Sequence, residues 1–223
     1  MGAEAPAGVT IVAYGHTVRP YLKEIRLADE VWAINNSHAA HDYLPDRIIA
    51  MDDLERDEPD YPRYIREIVH AGVPVYTATA YPKWPMTVAF PLKEVMDSLG
   101  LRKRLAQAAF SNTCCYALAL AIHEKRAPIR LYGFDFERPD YGSMVEAQRM
   151  LLKEGKPDWF VYYSRDMVRW PTEPGIHGLT FLLGLAHERG VEVHFPREST
   201  LMDWDRDAFF YGYQEQPEID DAA

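Results

Sequence analysis

The sequence predicts an α/β fold, a mostly parallel sheet flanked by helices, with an inserted lid-like segment. Three observations carry that expectation. Short apolar runs rich in β-branched residues recur along the chain, helical stretches fall between them, and most of the runs stop at polar or glycine-containing turns. Runs that are apolar throughout suit strands covered on both faces, and strands alternating with helices mark βαβ units. With 223 residues, 48% of them hydrophobic, the chain can bury the core of one domain. Residues 1–213 are expected to form that domain, with 137–174 as the lid segment and 214–223 as a flexible acidic tail.

The elements are justified in order. Val9 to Ala13 reads as the first strand and ends in Tyr14-Gly15-His16-Thr17. Val18 to Leu27 reads as a helix with Pro20 in its first turn, where a missing N–H is tolerated. Val31 to Ile34 is a second strand, stopped by Asn35-Asn36-Ser37, and Arg47 to Met51 a third, stopped by Asp52-Asp53. Tyr61 to His70 is helical up to Gly72. Val73 to Tyr76 is a fourth strand, placed near an edge because Pro74 cannot donate to a ladder. Thr77 to Pro91, rich in proline and aromatics, reads as a long loop, the kind more often functional than idle. Pro91 to Leu105 makes one or two helices. Ser111-Asn112-Thr113 opens an Ala/Leu-rich helix from Cys114 to Glu124. Ile129 to Tyr132 is a fifth strand, stopped by Gly133-Phe134-Asp135-Phe136. Glu137 to Pro174 carries one helix near Val145 to Lys153. Gly175 to Arg189 is the last long helix, and Val191 to His194 the final strand.

Composition narrows the function classes. A net charge of −10 argues against coating nucleic acid by bulk charge. No apolar run approaches the ~20 residues of a membrane-spanning helix, and the opening residues lack the pattern of a signal peptide. The two cysteines, Cys114 and Cys115, are adjacent and form no disulfide framework, so a cytoplasmic setting is expected. No Cys/His spacing suits zinc, and no metal site is expected.

Open parallel sheets bind ligands outside the carboxyl ends of their strands. Four predicted strands end there in turns with chemical use, although Asn, Asp and Gly also end strands simply by making turns. Gly15 permits a tight turn before a helix whose N–H groups favour an anion. Asn35 and Asn36 supply donors and acceptors suited to a base or sugar. Asp52, Asp53 and Asp135 could accept from hydroxyls or hold a cation. Asn112 and Thr113 open a second anion cradle; Cys114 and Cys115 sit beside them where a helix N-terminus would lower a thiol pKa, yet with no histidine near in sequence they read first as small core residues. His177, in the first turn of the last helix, is placed as a general base. Trp84 and Trp170 offer rings for stacking an acceptor. The first turn is neither GxGxxG nor a Walker lysine loop, which points away from dinucleotide oxidoreductases and P-loop kinases.

Phe110-Ser111-Asn112-Thr113 with its Ala-rich helix, followed by Ile129 to Phe136, resembles the nucleotide-binding half of bacterial CMP-dependent sialyltransferases. Thr10 to Val18, Val31 to Asn36, the strand ending at Asp52, and Pro196-Arg197-Glu198-Ser199-Thr200-Leu201 are similar to further segments of that family in the same order. The wider group includes motility-associated glycosyltransferases, archaeal hydroxymethyldihydropterin pyrophosphokinases and phage proteins, and the compact chain looks most like the phage members. The resemblance implies a Rossmann-like nucleotide-binding domain. Gly15, His16, Thr17, Asn35, Asn36, Asp52, Asn112, Thr113, Cys114 and Gly133 would surround the nucleotide. Tyr141 would touch the phosphate, with Tyr162 or Tyr163 able to substitute. Tyr14, His16 and Cys114 stand where the family has asparagine, proline and glycine. Trp170 stands where the family's histidine falls, with His177 the nearest histidine downstream.

The resulting expectation is a nucleotide-sugar-dependent glycosyltransferase. His177 or Asp135 would act as base, and Tyr141 or Arg165 would stabilise the leaving phosphate. Trp84, Trp170 and Arg165 would hold a glycan hydroxyl or a modified nucleobase as acceptor. A Mg²⁺-dependent phosphoryl transfer on Asp52, Asp53 or Asp135, and a non-catalytic nucleotide-binding protein, are the alternatives. No membrane partner is expected, and a homo-oligomer stays open.

Overall fold

The computed structural model describes residues 7–55, 61–135, 172–199 and 201. Among them runs one seven-stranded sheet: β1 (Val9–Val12), β2 (Val31–Ile34), β3 (Arg47–Ile49), β4 (Val75–Thr77), β5 (Thr87–Ala89), β6 (Ile129–Tyr132) and β7 (Val193–His194). The spatial order is β5-β4-β3-β2-β1-β6-β7, and every pairing is parallel. The order reverses between β1 and β6. There Val9 pairs with Ile129 and Val12 with Tyr132, so the two strands end side by side.

The core divides by side-chain alternation. Ile11, Ala13, Trp32, Ile34, Ile49, Ile129 and Leu131 point to the first face. That face carries α4 (Leu92–Leu99), α5 (Lys103–Ala109), α6 (Thr113–His123) and α7 (Thr172–Glu188). Val12, Val31, Ala33, Ile48, Ala50 and Tyr132 point to the second face, beneath a 3-10 helix (His16–Tyr21), α1 (Leu22–Arg26) and α3 (Tyr61–Val69). The α/β layering is therefore as the sequence predicts, and it is Rossmann-like.

Local details differ for identifiable reasons. The first helix opens as a 3-10 turn, His16–Tyr21, with Pro20 inside it, before α1 continues as an α-helix. Ser37–His41 forms a short helix, α2, where the sequence suggested only a stop; Asp42, in the left-handed region at φ 57°, ends it. The stretch expected as two helices or one is two, split at Gly100 with φ 68°. The expected loop from Thr77 to Pro91 contains β5, so β4 is covered and Pro74 lies just ahead of it. Thr87-Val88-Ala89 is too short to show a period of its own.

Opposite the strand tips, four charged side chains close a ring. Arg47 meets Glu30 at 3.1 Å and Glu124 at 2.6 Å, and Arg126 meets Glu30 at 2.7 Å and Glu124 at 3.0 Å. The Arg47 guanidinium lies 4.8 Å from the Trp32 ring centroid, and the Trp32 indole donates to Glu30 at 2.7 Å. The ring ties β2, β3 and the end of α6 together at the amino end of the sheet.

Candidate functional site

The carboxyl ends of β1, β2, β3 and β6 lie along one edge because all run parallel. Each of α6 and α7 precedes a strand of the sheet and so starts at that same edge. Their openings touch: a Cβ on Gly178 would lie 2.6 Å from Ser111 Oγ and 2.8 Å from Ala109 O. His177 is exposed and stands one residue before that contact. Gly15, Asn35, Asp52, Thr113, Asp135 and His177 thus share one edge of the molecule.

Most of the polar groups expected to serve a ligand are engaged with one another. Asp135 accepts from Thr17 N at 2.9 Å and from Thr17 Oγ1 at 2.8 Å, which caps the 3-10 helix across the β1–β6 crevice. Thr17 is 1% exposed, and its hydroxyl also accepts from Gly133 N at 3.0 Å. Gly15 serves this closure, since a Cβ there would come within 2.7 Å of Asp135 Cβ. Gly133, at φ 73°, abuts Val18 and the Ala13 carbonyl. Asn36 is fully buried. Its N–H donates to Tyr14 Oη at 3.0 Å, the Tyr14 hydroxyl donates to its Oδ1, and its Nδ2 donates to Glu67 at 2.9 Å. His41 Nε2 lies 3.2 Å from the Tyr14 carbonyl. Asp52 accepts from Tyr64 Oη at 2.8 Å, and Asp53 from Tyr81 Oη at 3.1 Å. Asn112 caps α6 by accepting from Cys115 N at 3.0 Å.

What stays available is narrower. Asn35 sits at the tip of β2 with φ 53°, a left-handed conformation that asparagine tolerates better than most residues. It is 8% exposed, and its Oδ1 has no hydrogen-bond partner among the described residues. The N–H groups of Thr113 and Cys114 open α6 ahead of the one that Asn112 caps. Phe110 and Tyr116, both half-buried, flank that opening with ring centroids 4.7 Å apart, and Phe90 meets Tyr116 edge-on at 5.1 Å. This aromatic wall was missed in the sequence. The signal was present: aromatic residues bracket the Ser-Asn-Thr cap. Tyr14 was likewise unweighed as the clamp on Asn36.

Burial and distance bear on two of these readings. Cys114 and Cys115 are free thiols, and burial pushes both pKa values up, outweighing the helix terminus. Trp84 lies just ahead of β5, its ring edge-on to Tyr81 at 5.6 Å and under the Lys83 ammonium at 4.6 Å. β5 is four strand spacings from β1, roughly 19 Å, so Trp84 is not part of the β1–β6 crevice. Tyr141, Arg165 and Trp170 lie outside the described residues, as does the His16 side chain. Among the described residues, no three His, Cys, Asp or Glu side chains converge as a metal site. No single described helix is long and apolar enough to cross a membrane.

These features define an α/β protein with a Rossmann-like sheet and a polar switch-point edge. Comparison with protein families, with characterised proteins and with solved structures finds no match.

Proposed function

We propose that this chain is a nucleotide-sugar-dependent glycosyltransferase that binds its nucleotide along the switch-point edge. The observation that carries the reading is a buried acceptor with no partner among the described residues, Asn35 Oδ1, on the same strand-tip edge as the first N–H groups of α6, which stand ahead of the one that Asn112 caps. The Thr113 and Cys114 N–H groups suit phosphate oxygens. Asn35 Oδ1 suits a ribose hydroxyl or base amine, and the Phe110–Tyr116 wall suits a base ring. The bonds among Asp135, Thr17, Tyr14 and Asn36 hold these groups in place before ligand arrives.

In the proposed reaction an acceptor hydroxyl oxygen bonds to the donor's anomeric carbon as the bond to the phosphate oxygen breaks. His177 takes the hydroxyl proton; Asp135, already accepting from Thr17, is the second candidate base. Tyr141 or Arg165 would stabilise the leaving phosphate and Trp170 would hold the acceptor, a glycan hydroxyl or a modified nucleobase. Mg²⁺-dependent phosphoryl transfer has less support, because Asp52, Asp53 and Asp135 each accept from a different partner: Tyr64, Tyr81 and Thr17.

The test is a thermal-shift and nucleotide-release panel over CMP-, UDP- and GDP-sugars, run on the wild type and on Asn35→Gly. Glycine keeps the left-handed backbone and removes only the amide, so unliganded stability should change by about 1 kcal/mol or less. One nucleotide class should stabilise the wild type and release nucleotide, and Asn35→Gly should lose that shift. No shift and no release with any donor would overturn the proposal. Binding without release would leave a nucleotide-binding protein. Release abolished by a chelator would favour the metal-dependent chemistry.

A further inference from the structure

Two buried side-chain atoms lack a hydrogen-bond partner among the described residues, Asn35 Oδ1 and His38 Nδ1. They belong to one turn, three residues apart, where the chain leaves β2 and enters α2. The rest of that turn is bonded. Ser37 Oγ donates to the Val12 carbonyl at 2.8 Å and lies 2.7 Å from Tyr43 Oη. Asn36 is held by Tyr14 and by Glu67 of α3. His38 is half-buried, its ring edge-on to Tyr43 at 6.5 Å. The two leftover atoms are chemically complementary. Asn35 Oδ1 only accepts, and a histidine ring that donates from one nitrogen when neutral donates from both when protonated.

We propose that His38 is a proton-operated positioning residue for Asn35: the neutral ring leaves Asn35 Oδ1 open to a ligand, and the imidazolium closes it by donating from Nδ1. Which ligand the open state takes rests on the nucleotide reading; the pairing itself rests on the packing. A buried imidazolium needs an acceptor for each N–H, and a charged donor makes the stronger bond. The groups that face His38 set when this happens. Burial holds the ring neutral, against the pull of Glu67 on α3 and of the Glu67 and Asn35 backbones, so protonation falls below pH 6.5. Because the Asn35 backbone already acts on the ring, a side-chain rotation is enough to join the two atoms. Tyr43 stays neutral throughout, since burial pushes its pKa up. His41, the other histidine of α2, has its Nε2 3.2 Å from the Tyr14 carbonyl.

Side-chain NMR of the full chain, titrated from about pH 7.5 to about 4.5, tests the pairing without any ligand. His38 should titrate below 6.5, and the Asn35 side-chain amide should shift with the same midpoint. Asn35→Gly keeps the left-handed backbone and should lower the His38 midpoint by about half a pH unit or more, because the imidazolium loses its acceptor. A His38 midpoint at or above 6.5, an Asn35 amide that ignores it, or a midpoint unmoved in Asn35→Gly would overturn the proposal. Calorimetry with CMP, UDP and GDP tests the closure. Below the His38 midpoint, affinity should fall about tenfold per pH unit more steeply in the wild type than in His38→Phe, which keeps a ring against Tyr43 and takes no proton. Equal slopes in the two proteins would overturn the closure. If none of the three nucleotides binds at any pH, the nucleotide reading falls, and the amide titration alone decides the pairing.

Discussion

Gly15 has φ −59° and ψ 163°, a backbone any residue can adopt, so its smallness matters only for what it faces. It faces Asp135. Gly15→Ala should therefore cost about 1–3 kcal/mol by overpacking, and clearly less in an Asp135→Gly background, which removes the whole facing side chain. Chemical denaturation of the four variants of that cycle measures the difference. His38 is a second residue with a consequence. Burial lowers its pKa below the ordinary 6.5, against the pull of Glu67 and the Asn35 backbone, and its Nδ1 has no hydrogen-bond partner among the described residues. A histidine whose folded pKa lies below its unfolded one binds more protons unfolded. Its contribution is complete above pH 6.5 and is lost as pH falls through the lower folded value. The unfolding midpoint should drop on acidification through that window, and less so in His38→Gln. At this scale the sequence was legible where a residue's role is local. Asn112 reads as a helix cap and is one. Thr17 and Asn36 read as ligand groups, yet their partners are far along the chain: Asp135 is 118 residues from Thr17, and Glu67 is 31 from Asn36. Spacing says nothing about such pairings.

Among the elements, β2, β3 and α6 are joined at their lower ends by the Glu30–Arg47–Glu124–Arg126 ring. The four side chains are 14–24% exposed, so water screens them only in part. Arg126→Met would leave one oxygen of Glu30 and one of Glu124 without their cation. A loss of about 1–3 kcal/mol is expected, below the cost of a fully buried pair. Thermal unfolding should show it, with a smaller difference at high salt. The strands themselves were readable wherever they are apolar on both faces, as Val9–Val12 and Val31–Ile34 are. β5 was not, because its three residues become a strand only by pairing with β4.

Over the whole molecule, stability should be graded across the sheet. β1 is flanked on both sides, and Ile11, Ala33 and Leu131 are completely buried. Native-state hydrogen exchange should find the slowest amides in β1, β2 and β6, with β5 and β7 opening first at the edges. Equal protection from β5 to β7 would contradict this grading.

The sequence by itself determined the layered α/β architecture, the covered strands and the caps, because burial period and turn chemistry are written in neighbouring residues. Only the tertiary structure decided the strand order, the edge strand, and which polar side chains hold the frame rather than await a ligand. Those outcomes depend on contacts between segments distant in the chain, and no local pattern records them. Asn35 belongs to both: its residue type marked it as a polar strand tip, and only the packing shows that its Oδ1 is buried with no hydrogen-bond partner among the described residues.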